Sequence, residues 1–200
     1  MSTIEGGAVC TDDNELADML KMVRAHGWDR HLKTDERQAL KNNHKIKNFH
    51  ANYTFYDLAY NFRPTEISGF LGNNQLKYLH EITKNRHTNF VKLADTIYDN
   101  KNFIPIRYSH LDLISNFAFP VICRSKQIHN KLIRKCKNKL EIRPIVGGNM
   151  LLQPFFKKYL LYYLGLERLF DCPNAELVHN QGLYFGNNPE LTNKEIEDIK

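Results

Sequence analysis

The chain has 200 residues, of which 42% are hydrophobic, 12% aromatic and 25% charged, the composition of an ordinary globular protein. No apolar run approaches the length needed to cross a bilayer, and no stretch resembles a signal peptide, so we expect a cytoplasmic protein with no membrane partner. The formal net charge of +6 fits a nucleic-acid surface or a site for a phosphorylated small molecule. The basic residues form small groups, at 41–47, 124–126 and 134–139, and no long arm, so we expect no nucleic-acid partner.

The cysteines give no sign of a metal site or of a disulfide framework. They are widely spread, lack a CxxC motif, and have no histidine at ligand spacing: Cys10, Cys123, Cys136 and Cys172. This spacing indicates reduced thiols and again favours a cytoplasmic protein, with no bound metal.

The first 50 residues predict a strand, a helix and a long loop. Residues 4–11 are predicted to form a strand, followed by a helix with Asp12 and Glu15 in a capping box. An apolar residue recurs along one face of this helix at Leu16, Met19, Leu20 and Val23, and Gly27 ends it. Residues 28–49 lack apolar periodicity and are predicted to form a long loop.

The remainder predicts a long helix and a small domain in which strands and helices alternate. The helix begins at Pro64 and reaches Ile97, with a break expected near Gly69 or Gly72. Strands are predicted at "FAFPVIC", "EIRPIV" and "GLYFG", a helix at 125–139, a mixed apolar segment from Pro154 to Leu169, and a last helix that begins with a capping box of Thr192 and Glu195.

Four stretches, in collinear order, resemble one protein family. They are "STIEGGAVCTDDNELADMLKMVRAHG", "YNFRPTEISGFLGNNQLKYLHEI", "EIRPIVGGN" with "QPFF", and "CPNAELVHNQGLYFGNNPELT". Together they look like the DegT/StrS family of vitamin B6-dependent sugar enzymes. The resemblance implies an α/β fold, the C-terminal part of a fold-type I pyridoxal-phosphate-dependent transferase. Residues 1–60 would end the large cofactor domain, 61–100 would form a long linking helix, and 101–200 a small α+β domain.

The resemblance implies a homodimer that uses pyridoxal 5'-phosphate or pyridoxamine 5'-phosphate and binds a nucleotide-diphosphate sugar. The expected reaction is C3 dehydration of a nucleotide-linked 4-keto-6-deoxyhexose through a pyridoxamine phosphate ketimine. The family's catalytic position, histidine in dehydratases and lysine in aminotransferases, would lie two residues upstream of Met1. Amino transfer, or a truncated subunit without catalytic activity, are therefore the alternatives, and no catalytic residue is assigned within the chain.

Asn61 is the first candidate site residue. The matching asparagine of the family reaches across the dimer to the cofactor phosphate, and an amide NH2 donates to phosphate oxygen without a charge. The alternative is that Asn61 only shapes the turn before Pro64. For Arg63, phosphate binding competes with an ion pair to Glu66.

The other candidates would bind the nucleotide-sugar. His26 and Arg30 frame "HGWDR", and the family places a histidine and an arginine there near the nucleotide-sugar. A helix C-terminal position is the alternative for His26, and Trp28 is expected to pack. The family places an arginine close to the nucleotide at the position of Arg143, in "EIRPIVGG", and Asn149, which follows the Gly-Gly turn, is a further candidate for the same contact.

Overall fold

A computed structural model describes residues 2–156, 158–159 and 171–200. The chain divides into two compact units, Met1–Lys77, called unit 1, and Tyr78–Lys200, called unit 2. The boundary falls inside the stretch predicted as one long helix. That stretch forms two helices, which end at Leu76 and begin at Leu79, so the break lies at Lys77–Tyr78 and not at either predicted glycine. The division into 1–60, 61–100 and 101–200 stays a prediction.

Unit 1 contains three helices and a short 3-10 turn. The bounds are Asn14–Val23 for α1, Thr34–Asn43 for α2, Ala51–Tyr53 for the 3-10 turn and Glu66–Leu76 for α3. Helix α1 is capped by Asp13, whose side chain accepts a hydrogen bond from the Leu16 backbone nitrogen at 3.1 Å. The predicted cap, Asp12, is therefore one residue too early.

The strand predicted for residues 4–11 is wrong. These residues pair with no strand in the described part of the chain, and Ile4 has a φ of 75°, which no extended strand accommodates. A short apolar run such as Ala8-Val9-Cys10 forms a strand only where a neighbouring strand satisfies its backbone. The long loop predicted for 28–49 is wrong as well, because α2 lies within it.

Helix α2 is held by polar contacts that apolar periodicity does not report. At its start, the Lys33 backbone nitrogen donates to the Glu36 carboxylate at 2.9 Å. One turn later Arg37 faces the buried Asp29 carboxylate, with Nε 3.7 Å from Oδ2. The helix therefore forms around charged groups, and apolar residues contribute little to it.

Unit 2 is an antiparallel four-stranded sheet with helices. Its strands are β1 Phe103–Ile104, β2 Ala118–Cys123, β3 Ile142–Pro144 and β4 Gly182–Gly186. Their order in the sheet is β1-β2-β4-β3, and every neighbouring pair is antiparallel. The strands predicted at "FAFPVIC", "EIRPIV" and "GLYFG" and the helices predicted at 125–139 and after Thr192 are confirmed. The elements are α4 Leu79–Ile97, β1 Phe103–Ile104, β2 Ala118–Cys123, α5 Lys126–Cys136, β3 Ile142–Pro144, a 3-10 turn Met150–Leu152, α6 Pro173–Gln181, β4 Gly182–Gly186 and α7 Asn193–Ile199. Most of the predicted segment 154–169 lies outside the described residues.

The core of unit 2 lies between the sheet and helices α4 and α7. Alternate residues of β2, Phe119 and Val121, are buried, as the two-residue period of a strand requires. Phe119 stacks on Phe185 of β4, with ring centroids 5.3 Å apart, and its ring lies tilted against Phe90 of α4 at 5.1 Å. Burial of each such side chain contributes about 2–3 kcal/mol. Burial also raises the pKa of the Cys123 thiol to about 11.

A buried asparagine joins α4 to the chain segments at the sheet's end. Asn187 is fully buried, and its amide nitrogen donates to the Arg86 carbonyl at 3.0 Å and to the Asn116 carbonyl at 3.2 Å. Its backbone nitrogen donates to the Phe117 carbonyl at 2.8 Å. These bonds give the buried amide and backbone nitrogens of Asn187 their acceptors. Of the helices the structure describes, none is both long and apolar enough to cross a membrane.

Candidate functional site

The end of α1 lies beside an extended segment, residues 56–62. The His26 backbone nitrogen donates to the Tyr60 carbonyl at 2.8 Å, and the Tyr60 nitrogen donates to the Val23 carbonyl at 2.9 Å. Ala25 and Asn61 form an isolated antiparallel bridge. Because of this pairing, residues that are more than 30 positions apart in the sequence meet in unit 1.

A cavity of about 450 Å³ opens where these segments meet. It is called the Asn61 cavity here, and it is lined by Arg24, His31, Asn61, Arg63, Pro64 and Thr65. The lining has two guanidinium groups, an imidazole, an amide and a hydroxyl, and it contains no carboxylate. Such a set donates many hydrogen bonds and carries positive charge, so it favours an anion.

Asn61 and Arg63 contact each other within this cavity. Arg63 Nε donates to Asn61 Oδ1 at 3.0 Å, which fixes the amide plane of Asn61. The ion pair considered between Arg63 and Glu66 is not formed within the described part of the chain. Among the described residues, no carboxylate is therefore paired with the Arg63 guanidinium beside the Asn61 amide.

Four residues that line the cavity were not among the sequence candidates: Arg24, His31, Pro64 and Thr65. Arg24 is the C-cap of α1, and its carbonyl accepts a hydrogen bond from the Phe62 backbone nitrogen at 2.8 Å. That bond places Arg24 next to the segment that carries Asn61. The sequence around Arg24, "RAHG", does not predict that this side chain lines a binding site, because only the pairing of the end of α1 with residues 56–62 brings it to the cavity.

His26 and Arg30 surround the indole of Trp28. The Arg30 guanidinium carbon lies 3.7 Å from the ring centroid of Trp28, and the His26 ring lies 4.5 Å from it. Arg30 Nη2 also donates to the Asn52 carbonyl. Trp28 stacks on Phe55 at 5.8 Å, which is the packing expected of it. His26 has a φ of 61°, so it has left the helix and is held by the loop.

A buried carboxylate supports the loop that carries these side chains. Asp29 is only 1% exposed and faces Arg37, with Nε 3.7 Å from Oδ2. Burial, followed by the charge of Asp29, raises the pKa of Tyr56. Residues 26–30 are thus held in place by aromatic contacts of Trp28 and by the pairing of Asp29 with Arg37.

Arg143 and Asn149 belong to unit 2. Arg143 is exposed on β3, and its Nη2 and Nε donate to Glu141 Oε1 at 2.6 and 2.9 Å. This bond, with the charge of Glu141, raises the pKa of Arg143. Asn149 is 5% exposed, and its Oδ1 accepts from the Leu151 backbone nitrogen at 3.1 Å, so it starts the 3-10 turn. The ligand roles of Arg143 and Asn149 stay predictions.

The Gly147-Gly148 turn is required by the backbone. Both glycines have positive φ, 74° and 51°, and a Cβ on Gly148 would overlap the His179 ring. The Asn149 backbone nitrogen donates to His179 Nδ1 at 3.3 Å. The turn therefore packs directly on α6. Among the described residues, no group of three or more histidines, cysteines or carboxylates is arranged to hold a metal.

Comparison with known proteins places the chain in a known class. Residues 1–200 match the DegT/DnrJ/EryC1/StrS aminotransferase family, and the chain belongs to that family. Among curated proteins, the chain is 31% identical over 202 residues to GDP-4-keto-6-deoxy-D-mannose 3-dehydratase of Yersinia pseudotuberculosis, with 100% of this chain and 49% of the relative covered. The chain thus spans about half the length of that relative.

Solved structures confirm the predicted fold class. The Escherichia coli GDP-4-keto-6-deoxy-D-mannose-3-dehydratase with bound hydrated pyridoxal phosphate matches with a TM-score of 0.77 at 28% identity, over 100% of this chain and 50% of that one. A mutant of GDP-4-keto-6-deoxymannose-3-dehydratase with bound GDP-perosamine matches with a TM-score of 0.73 at 29% identity, over 94% of this chain and 48% of that one.

Proposed function

We propose that this chain belongs to a vitamin B6-dependent enzyme that removes the C3 hydroxyl of a nucleotide-linked 4-keto-6-deoxyhexose. The observation that carries the proposal is the Asn61 cavity, which favours an anion, in a chain that is 31% identical along its whole length to a 3-dehydratase. The competing reaction is amino transfer to the same class of sugar, since the family includes aminotransferases.

The cavity fits the phosphate of pyridoxal or pyridoxamine phosphate. A phosphate dianion needs several donors and no nearby carboxylate, and this lining meets both requirements. In the proposal, the Asn61 amide donates to a phosphate oxygen, and Arg63 holds that amide in place and adds positive charge. The enzyme is a homodimer, and Asn61 reaches the cofactor of the partner subunit. The cofactor supplies the electron sink for the reaction at the sugar.

The residues around Trp28 would bind the nucleotide-sugar. Arg30 is held by stacking on Trp28 and by the Asn52 carbonyl, which leaves other N–H groups of the guanidinium to donate to a diphosphate. His26, in contact with the same indole, would donate to the sugar or a phosphate. In unit 2, Arg143 would bind the nucleotide with the donors that Glu141 leaves free, and Asn149 would shape the neighbouring turn.

Cofactor affinity tests the role of the cavity. Asn61→Asp replaces the amide donor by a carboxylate of similar size and negative charge. We therefore expect pyridoxal phosphate to bind the purified Asn61→Asp variant about tenfold more weakly than the wild type, or more weakly still. Asn73→Asp makes the same change on the exposed part of α3, away from the cavity, and leaves the affinity unchanged. Equal affinity of the Asn61→Asp variant and the wild type would refute the phosphate site.

Mass spectrometry of the nucleotide-sugar tests the reaction. The native protein is incubated with GDP-4-keto-6-deoxymannose, pyridoxamine phosphate and glutamate. Loss of the C3 oxygen from the sugar supports dehydration. A product that gains an amino group at C4 and keeps the C3 oxygen shows amino transfer. A substrate of unchanged mass indicates a subunit without catalytic activity of its own and overturns the proposed reaction.

A further inference from the structure

The positive charge of the chain is concentrated in 16 residues. Residues 124–139, called the basic segment here, contain five lysines, two arginines and no acidic residue: Arg124, Lys126, Lys131, Arg134, Lys135, Lys137 and Lys139. Unit 1 has ten basic and ten acidic residues, and unit 2 has eighteen basic and twelve acidic ones. The net charge of +6 is therefore that of unit 2, and without the basic segment unit 2 would be slightly negative.

The structure exposes all seven of these side chains. The basic segment includes helix α5, Lys126–Cys136, whose half-buried residues Ile128, Leu132 and Cys136 recur on one side. Leu132 packs against the core of unit 2, while the four cations of the helix, Lys126, Lys131, Arg134 and Lys135, stay exposed. Throughout the described ranges, no salt bridge joins any of the seven cations to a carboxylate. The charge is consequently available to a partner.

The character of this surface favours lipid headgroups over nucleic acid. The basic segment has no phenylalanine, tyrosine or tryptophan on which a base would stack, and lysines outnumber arginines, the residues suited to bidentate contacts with bases. Ile133 is 41% exposed among the cations, and an apolar side chain there suits the boundary between headgroups and acyl chains. Clusters of four to eight basic residues on an amphipathic helix are typical of anionic lipid surfaces.

We propose that the basic segment binds reversibly to an anionic lipid surface and holds unit 2 against it by charge. Each basic residue near such a surface raises the affinity for it about fivefold. The seven cations together therefore suffice for binding to the surface without a membrane-spanning helix. The expectation of no membrane partner rested on the length of apolar runs, which this mode of binding does not need. The proposal is independent of the reaction proposed above.

Vesicle sedimentation tests the proposal. The full chain is mixed with vesicles of phosphatidylcholine alone or of phosphatidylcholine with phosphatidylglycerol. We expect binding only to the vesicles with phosphatidylglycerol, and release when the salt is raised to about 1 M, where the screening length falls to about 3 Å. The triple variant Lys131→Gln, Arg134→Gln, Lys135→Gln keeps helix propensity and should bind about a hundredfold more weakly.

A second triple variant controls for net charge. Lys41→Gln, Lys45→Gln and Lys47→Gln remove the same charge from unit 1 and should leave vesicle binding within about twofold of wild type. Lys131→Arg with Lys135→Arg keeps the charge of the segment and should keep the binding. Equal loss of binding in both triple variants would overturn the proposal. So would equal binding to phosphatidylcholine, or retention on duplex DNA or RNA with none on vesicles.

Discussion

Gly27 lets the loop after α1 lie against residues 56–62. Its φ is 75°, and a Cβ there would overlap the Asp57 carbonyl oxygen and lie 3.1 Å from the Asp57 nitrogen. The Gly27 carbonyl accepts a hydrogen bond from the Tyr56 nitrogen at 2.9 Å, so the two segments cannot separate without loss of that bond. We expect Gly27→Ala to lower the free energy of unfolding of unit 1 by about 2 kcal/mol. The fluorescence of Trp28 during urea unfolding reports the change, because Trp28 is the only tryptophan.

Gly69→Ala is the matched control for this substitution. Gly69 lies within α3, and a Cβ there would meet no atom within 4 Å. Alanine favours a helix over glycine by up to about 1 kcal/mol, so this variant should be as stable as the wild type or more stable. If the two variants lose the same stability, the close approach at Gly27 does not explain the effect.

The candidate site was partly predictable because two of its residues are neighbours. Asn61 and Arg63 lie two positions apart in one extended segment, and a resemblance along that segment finds both. Arg24 and His31 reach the same cavity only through the pairing of residues 22–27 with 56–62. Periodicity along one helix does not predict a contact between distant segments, so Arg24 and His31 could not be predicted as site residues from the sequence.

Helix α7 depends on its capping box because it has only seven residues. Thr192 accepts a hydrogen bond from the Glu195 backbone nitrogen at 3.2 Å, and Glu195 Oε2 accepts from the Thr192 nitrogen at 2.8 Å. Thr192→Ala should lower the free energy of unfolding of unit 2 by about 1 kcal/mol, measured by chemical denaturation. Thr96→Ala, at an exposed position of α4, should have no destabilising effect. Equal losses would mean that the cap is not the cause.

The same capping box makes the stability of unit 2 depend on pH. The backbone and hydroxyl of Thr192 donate to Glu195 and lower the pKa of that carboxyl below its ordinary 4.5. The carboxylate form is therefore favoured in the folded protein, and its stabilising effect is present above pH 4.5 and lost as the pH falls through the lowered value. In the Thr192→Ala variant this part of the acid dependence should shrink.

Elements with their own local signals were predicted, and elements held by distant contacts were not. Helix α7 carries its cap within four residues, and from Phe119 to Cys123 strand β2 alternates buried and half-buried side chains against the core of unit 2. Helix α2 has a capping contact of the same length, but Lys33 is not a residue that favours the N-cap position, and the pairing of Arg37 with Asp29 joins the helix to a residue outside it. Residues 4–11 show the opposite error, where apolar residues predict a strand that has no neighbour to pair with.

The two units differ greatly in the apolar surface they bury. In the described part of unit 1, the buried hydrophobic residues are Ala25 and Ala51, whereas unit 2 buries a cluster of ten apolar residues that includes Phe90, Phe119 and Phe185. Since hydrophobic burial is the main favourable contribution to folding, unit 1 has much less to offset its chain entropy. The chain as a whole should therefore lose the structure of unit 1 at a lower urea concentration than that of unit 2.

Phe119→Ala tests this difference in stability between the units. Phe119 is fully buried and contacts Phe90, Tyr98 and Phe185, so its removal should lower the free energy of unfolding of unit 2 by about 3–5 kcal/mol. Hydrogen exchange of the backbone amides of β2 and β4 follows unit 2, and Trp28 fluorescence follows unit 1. Protection of β2 and β4 should fall while the Trp28 transition stays at the same urea concentration. Phe117→Ala, at a side chain 66% exposed, should change neither signal appreciably. A single transition shared by both signals in the wild type would instead show that the core of unit 2 sustains the whole chain.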